Sequence, residues 1–352
     1  MPKCCGPTRG EWGHVNDYDV FELGDLPLQS GDVLRDAKLA YKAHGTLDEQ
    51  RANVVVFLTA YGGTHRDNAW LIGPGLPLDP ERYFIVCANL FGGGLSSSPS
   101  NTSGAQHGHA FPHLTVYDNV EAQRRLVLDH FGAREIALVL GFSMGAQQTF
   151  HWAARDPSLV KRIAPICGSA RTADHNIVFL DGIRAVLELD PAFAGGAYGD
   201  APPLAGQRAV GRTWAAWGQS QTFYREERWR RLGFDSRDAF VEAAYVESFA
   251  SADANDLLAM LWTWRHADVG AHALYGGDTQ RALAAITANA IVMPSATDTY
   301  FPPEDSALEV AAMPNATLAT IPSGNGHQAG ANIDPDDDAF VIARLRELLS
   351  LA

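Results

Sequence analysis

The feature that most limits what this chain can become is the run Ala137-Leu138-Val139-Leu140-Gly141-Phe142-Ser143-Met144-Gly145-Ala146. An apolar segment stops abruptly at Gly-x-Ser-x-Gly, and helical spacing follows at once. The run predicts a strand, a turn too tight for most side chains, and then a helix. On such a turn the serine hydroxyl stands clear of the sheet, where it can serve as a nucleophile. The strand needs partners and the helix needs a surface to cover, so this one feature constrains the whole architecture.

The partners are legible. Segments 18–23 and 39–43 alternate polar and apolar residues, as half-exposed strands do. Segments 54–59 and 83–89 are apolar throughout, which predicts strands buried on both faces of a parallel sheet. Asp118, with Glu121 three residues on, reads as a capped helix start, and a helix over 119–131 stops at Gly132. The strand over 135–140 feeds the tight turn. A helix over 146–154 ends at Asp156-Pro157, and 163–168 is the next strand.

The alternation then breaks. Residues 172–285 show little strand pattern and hold five of the eight tryptophans: Trp214, Trp217, Trp229, Trp262 and Trp264. Segment 256–264 reads as helix, and 194–206 as a loop rich in Gly, Pro and Ala. Strands resume at 290–294 and 317–321, and an amphipathic helix over 340–349 closes the chain. The expected fold class is α/β, a mostly parallel doubly wound sheet carrying an insert. Residues 1–171 and 286–352 form its core, and 172–285 form a helical lid.

Bulk properties exclude several function classes. A hydrophobic content of 46% supplies a core, and a net charge of -14 argues against a nucleic-acid partner. No segment reaches the roughly 18 apolar residues that a membrane span requires. The amino terminus lacks the apolar core of a secretory signal. Cys4, Cys5, Cys87 and Cys167 form neither a disulfide framework nor a Cys-x-x-Cys metal spacing, so a reducing cytoplasm is the expected location. No His-Glu-x-x-His appears, and Asp336-Asp337-Asp338 reads as an acidic helix start, so no metal is expected. The loop Gly92 to Ser100 has no lysine in Walker position and reads as a strand-end turn.

A serine hydroxyl needs a base in hydrogen-bond reach and a carboxylate to orient that base. With the nucleophile on a strand-to-helix turn, the partners follow in the order acid, then histidine. Asp298 stands just after the strand at 290–294. His327 lies in the glycine-rich loop after 317–321, and is the one histidine beyond Asp298. Both belong to the same sheet edge as Ser143. Glu304 and Asp305 are alternative acids, further from the strand. The oxyanion needs two backbone N–H donors: Met144, after the nucleophile, and Ala60 or its neighbour Tyr61, after the first buried strand. Tyr61 and His65 are also candidates for lining the pocket. An aspartate at the turn would suit halide or epoxide opening; Ser143 points to acyl transfer.

With these residues in place, the chain resembles the homoserine O-acetyltransferase family of α/β-hydrolases from about Tyr41 onward. The stretches that carry the likeness are Gly92 to Ser100, Gly141 to Gln147, Asp298-Thr299-Tyr300-Phe301-Pro302-Pro303, and Gly326-His327. The resemblance implies that Ser143 is acylated by an acyl-CoA such as acetyl-CoA and that the acyl group passes to a small alcohol, with no bound cofactor. It implies a helical lid that can form a homodimer contact, and an arginine from that lid, Arg212, facing the acceptor's carboxylate. In homoserine-using members the catalytic histidine is followed by Asp; here the position is Gln328. The loop Ala60-Tyr61-Gly62-Gly63 also differs from the family's Leu-Thr-Gly. Both changes touch the acceptor pocket, which leaves the acceptor open. An attacking alcohol makes an O-acyltransferase, and attacking water makes an esterase.

Overall fold

The computed structural model describes residues 17–351; Cys4, Cys5 and the residues weighed as a secretory signal lie outside them. An eight-stranded sheet runs through the molecule in the order β1-β2-β4-β3-β5-β6-β7-β8. The strands are β1 (Asp19–Pro27), β2 (Val33–His44), β3 (Val54–Leu58), β4 (Phe84–Ala88), β5 (Ile136–Phe142), β6 (Arg162–Ile166), β7 (Asn289–Val292) and β8 (Ala316–Leu318). β1 pairs antiparallel with β2, and β2 antiparallel with β4; every other pairing is parallel. The alternating segments thus form the antiparallel edge, and the fully apolar ones form the parallel centre.

Both faces of that centre are covered. All five residues of β3 are buried. Val54, Val56 and Leu58 share one core with Phe150 and Trp152, which lie in the helix after Ser143. Val55 and Phe57 share another with Val341, Leu345 and Leu348 of the closing helix. The period-2 alternation of a strand delivers side chains to both layers, so the run must be apolar at every position.

In chain order the helices are α1 (Val116–Arg124), α2 (Met144–Arg155), α3 (Asp174–Glu188), α4 (Leu204–Gly218), α5 (Gln221–Arg225), α6 (Arg237–Val241), α7 (Glu247–Ala250), α8 (Ala254–Arg265), α9 (Thr279–Ala284), α10 (Pro303–Ala312) and α11 (Pro335–Ser350). α1 begins one turn earlier than its acidic pair predicts. Thr115 is the cap, and Asp118 sits at the third helical position, where it completes a capping box. Its other carboxylate oxygen accepts the Gln29 N–H at 2.7 Å, so the residue also ties a distant loop to the start of the helix. α1 runs on through a π-type turn over Arg125–His130, in the segment read as one helix.

The chain between β6 and β7 is helical, α3 to α9, and contributes most of a third apolar cluster. Phe179, Trp214, Trp229, Phe249 and Trp264 meet there with Tyr61, Met144, Tyr300 and Phe301 from the sheet edge. No helix among the described residues is long and apolar enough to cross a membrane.

Candidate active site

β5 delivers Ser143 to the carboxyl edge of the sheet, and the backbone there is strained. Ser143 has φ 57° and ψ −120°, in the region that favours glycine. A conformation of this kind costs about 1–3 kcal/mol and persists only where its surroundings over-determine it. They do so here. The Ser143 N–H donates to the Ile166 carbonyl at 2.9 Å, and its own carbonyl accepts from Ala146 and Gln147 at 2.9 and 3.2 Å. The two motif glycines are needed for close approach. A Cβ at Gly141 would stand 2.4 Å from the Gly145 carbonyl carbon, and one at Gly145 would stand 2.5 Å from the Leu58 carbonyl oxygen.

Three residues from three strand ends then converge. His327 lies in a short helical turn over Gly326–Gly330. Its Nε2 is 2.9 Å from Ser143 Oγ, and its Nδ1 is 2.7 Å from Asp298 Oδ2. With the Nδ1 proton directed at the carboxylate, Nε2 is left as the acceptor for the serine hydroxyl. The second carboxylate oxygen, Asp298 Oδ1, accepts the N–H groups of Tyr300 and Phe301 at 2.8 and 3.2 Å. The loop that follows Asp298 therefore curls round its carboxylate and holds it. Glu304 and Asp305, the alternative acids, are in the first turn of α10 instead.

Around this chain of hydrogen bonds is a tight cavity of about 20 Å³ lined by Ala60, Tyr61, Phe142, Ser143, Trp214, Trp264, Tyr300, His327 and Gln328. The imidazole packs against Phe142 and, edge to face, against Tyr300, at 4.7 and 4.9 Å between ring centres. Low polarity of this kind strengthens the charge–charge interactions within the site.

Met144 opens α2, and its own N–H has no carbonyl one turn back to accept it. Ala60 follows β3 and lines the same cavity. One residue that motif reading missed links the two. Gln148 is buried, and its amide donates to the Thr59 and Met144 carbonyls at 3.0 and 3.2 Å. The Thr59 carbonyl and the Ala60 N–H belong to one planar peptide, so fixing the first fixes the direction of the second. No local pattern marks Gln148; its role exists only once β3 and β5 are adjacent.

The remaining candidates separate. Tyr61 lines the cavity with its ring, stacked on Trp214 at 5.0 Å, while its hydroxyl donates to the Leu257 carbonyl at 3.0 Å. Burial pushes that phenol far up from its ordinary value. Gln328 is buried and lines the cavity, and its Oε1 finds no hydrogen-bond partner among the described residues. His65 lies outside this lining; its N–H donates to Asn89 Oδ1 at 2.9 Å and its ring faces Asp17.

Arg212 is the correction. Its side chain is 56% exposed and donates to Glu242 Oε2 at 2.9 Å, on a face of α4 turned away from the cavity. The same helix presents Trp214 to the cavity instead. Two residues along a helix is about 200° of rotation, so an arginine and a tryptophan at that spacing cannot share a face. The other residues missed are the aromatic walls Trp264, Tyr300 and Phe142. Their abundance was visible in the sequence, but which of them face Ser143 depends on how the helices dock. Among the described residues no group of three or more His, Cys, Asp or Glu could hold a metal ion.

Known proteins with similar sequences and folds carry related names. The family model for the alpha/beta hydrolase fold matches residues 53–329. An ethyl acetate hydrolase of Pseudomonas veronii is 38% identical, covering 95% of this chain and 95% of that protein. The structure of the acetyl esterase MekB superposes with a TM-score of 0.92 at 38% identity, over 95% of this chain and 97% of that one. A homoserine O-succinyltransferase of Bordetella pertussis is 33% identical, over 86% of this chain and 81% of that protein. With its sheet order, its strained serine and these relatives taken together, the chain belongs to the α/β-hydrolase-fold enzymes, in the lineage that contains both esterases and homoserine O-acyltransferases.

Proposed function

We propose that this chain is a serine esterase that cleaves esters of short acyl groups through an acyl-Ser143 intermediate. The observation that carries the reading is the hydrogen-bonded series Ser143–His327–Asp298 opening into a tight cavity of only about 20 Å³. That space is far below the size of an ordinary ligand site, so only a small group enters without the walls giving way, which favours a short acyl group. Relatives named for acetyl ester and ethyl acetate hydrolysis, at 38% identity, support it further. The acyl-CoA-dependent O-acetyltransferase expected from the sequence has weaker support. The homoserine-acylating relative is 33% identical, Gln328 stands where the resemblance places an aspartate, and Arg212 is engaged with Glu242 outside the cavity.

In the proposed reaction, His327 Nε2 takes the proton from Ser143 Oγ as Oγ attacks the ester carbonyl carbon. Asp298 stabilises the imidazolium that forms. The negative oxygen of the tetrahedral intermediate is met by the N–H groups of Met144 and Ala60. Collapse breaks the bond to the alcohol oxygen, which leaves with the proton from His327. Water then attacks the acyl-serine, giving its proton to His327. The second collapse releases the carboxylic acid and returns that proton to Ser143. Gln328 lines the same cavity and has an unpartnered Oε1, which in this reading accepts a hydrogen bond from the incoming water once the pocket opens to admit it.

The deciding measurement is acid release from ethyl acetate set beside thiol release from acetyl-CoA, with and without homoserine. The esterase reading expects fast acid release from the ester and thiol release indifferent to homoserine. Thiol release that needs homoserine and yields its O-acetyl ester, without ester hydrolysis, overturns it. Ser143→Ala is expected to lower turnover by about 10⁴-fold or more and to abolish labelling by a serine-reactive phosphonate.

A further inference from the structure

Beside the cavity at Ser143 lies a second, larger recess of about 520 Å³. Its walls include Phe57 and Ile166 from the sheet edge, Trp70, Leu71 and the charged Arg66 and Asp67 from the loop after β3, and Gly330 and Ala331 just beyond His327. Two residues line both spaces, Ala60 and Phe142. Ala60 meets them as backbone and a methyl group, so the partition between the spaces is the Phe142 ring.

That ring is held firmly in place. It packs on the His327 imidazole at 4.7 Å between centres, with the planes tilted by 33°. On its other side it lies so close to Gly330 that a Cβ there would stand 2.8 Å from Phe142 Cδ2. The base and the partition therefore touch, and this fixes which half of a substrate each space serves. The leaving alcohol must take its proton from His327 Nε2, so the alcohol lies on the His327 side. The recess is walled by Gly330 and Ala331, which follow His327 in the same loop, and so adjoins the segment that carries the base. The opposite wall of the catalytic cavity, formed by Trp214, Trp264 and Tyr61, is left for the acyl group.

We propose that the recess is a dormant alcohol subsite, shut off by Phe142, which restricts the enzyme to esters of small alcohols. The apolar part of its lining, Phe57, Trp70, Leu71 and Ile166, would take the carbon chain or ring of an alcohol of six or more carbons once the partition is removed, with Arg66 and Asp67 lining the rest. The proposal rests on the esterase reading and deepens it by naming the residue that sets alcohol size.

The test compares three esters: ethyl acetate, benzyl acetate and ethyl hexanoate. Ethyl acetate measured with the parent enzyme tests the esterase reading by itself. In Phe142→Ala the kcat/KM ratio of benzyl acetate to ethyl acetate is expected to rise by about 10-fold or more, in the range that pocket complementarity supplies. The ratio of ethyl hexanoate to ethyl acetate should stay within about 2-fold of the parent's. Because ratios are compared, a general loss of rate from a less well supported His327 cancels. Adding Ala331→Phe, which refills the recess from its far side, should return the benzyl acetate ratio toward the parent's value. If Phe142→Ala does not fold, Phe142→Leu opens the same wall by less and should move the ratio the same way. An unchanged benzyl acetate ratio in a folded variant overturns the proposal, as does a rise for ethyl hexanoate in its place.

Discussion

Beneath Ser143 the structure is held by backbone; above it, by rings. On the sheet side, positions are fixed by glycines with no room for a Cβ, by a serine held at φ 57°, and by carbonyls that accept its neighbours' N–H groups. On the helical side, between β6 and β7, Trp214 lies within 6.3 Å of Tyr61, Phe179, Phe249, Trp264 and Tyr300, measured between ring centres. The first kind of constraint is all-or-none, because a bond angle or a close approach leaves little slack. The second is distributed, and each ring contributes a part. The two sides should therefore fail differently when perturbed.

The largest effect is expected from Gly145→Ala. The new Cβ meets the Leu58 carbonyl, which is backbone and cannot swing aside, so β3 and α2 must separate. A displacement near 1 Å at the nucleophile lowers turnover by about 100-fold. Turnover on ethyl acetate together with a thermal melt checks this; near-parental activity would mean that the turn has slack. Next comes Trp264→Ala, on the ring side. Removing a side chain that is 1% exposed should cost about 3–5 kcal/mol of stability. Ester turnover at low temperature should fall less than in Gly145→Ala. Equal losses of rate would erase the contrast between the two sides.

A smaller effect is expected in the pH dependence of stability. Glu309 of α10 is buried, accepts the Ala170 N–H at 2.6 Å, and has its carboxyl pushed up to about 8 by burial. The folded protein thus keeps a proton that the unfolded chain loses near pH 4.5, so stability falls as pH rises from about 4.5 to 8. Glu309→Gln removes that dependence. Denaturant melts should show the variant gaining about 3 kcal/mol relative to the parent between pH 5 and pH 8. A parallel pH profile would mean that the carboxyl is ionised in place. The smallest effect is expected from Arg212→Ala, which breaks an exposed ion pair with Glu242 and should change stability by no more than about 1 kcal/mol and KM for esters not at all. A large rise in KM would return Arg212 to the pocket.

What the sequence could reveal follows the same division. The division of the strands into half-exposed and fully buried ones and the meeting of Ser143, Asp298 and His327 follow from local signals: apolar runs, a glycine-flanked serine, and polar residues at strand ends. Each of those signals is written within about ten residues. Arg212, Gln148 and Phe142 were misplaced or unremarked because their neighbours come from elsewhere in the chain. The face of α4 that meets the cavity is set by docking against Tyr61 and Tyr300. Gln148 matters because two strands lie side by side. The choice between water and alcohol as acceptor depends on the shape of an enclosed space, to which distant segments contribute, and no single stretch encodes it.

The short loop Asp298-Thr299-Tyr300-Phe301 belongs to both sides at once. Its first residue orients the base, while Tyr300 and Phe301 are ring neighbours of Trp264, and Thr299 Oγ1 donates to the Trp217 carbonyl at 2.9 Å. Any loosening of the helical segment is thereby transmitted, over three residues, to the carboxylate that steers His327. On warming, catalytic competence should decline before the sheet melts, so that the loss of activity reports on the docking of the helices and not on the survival of the strands.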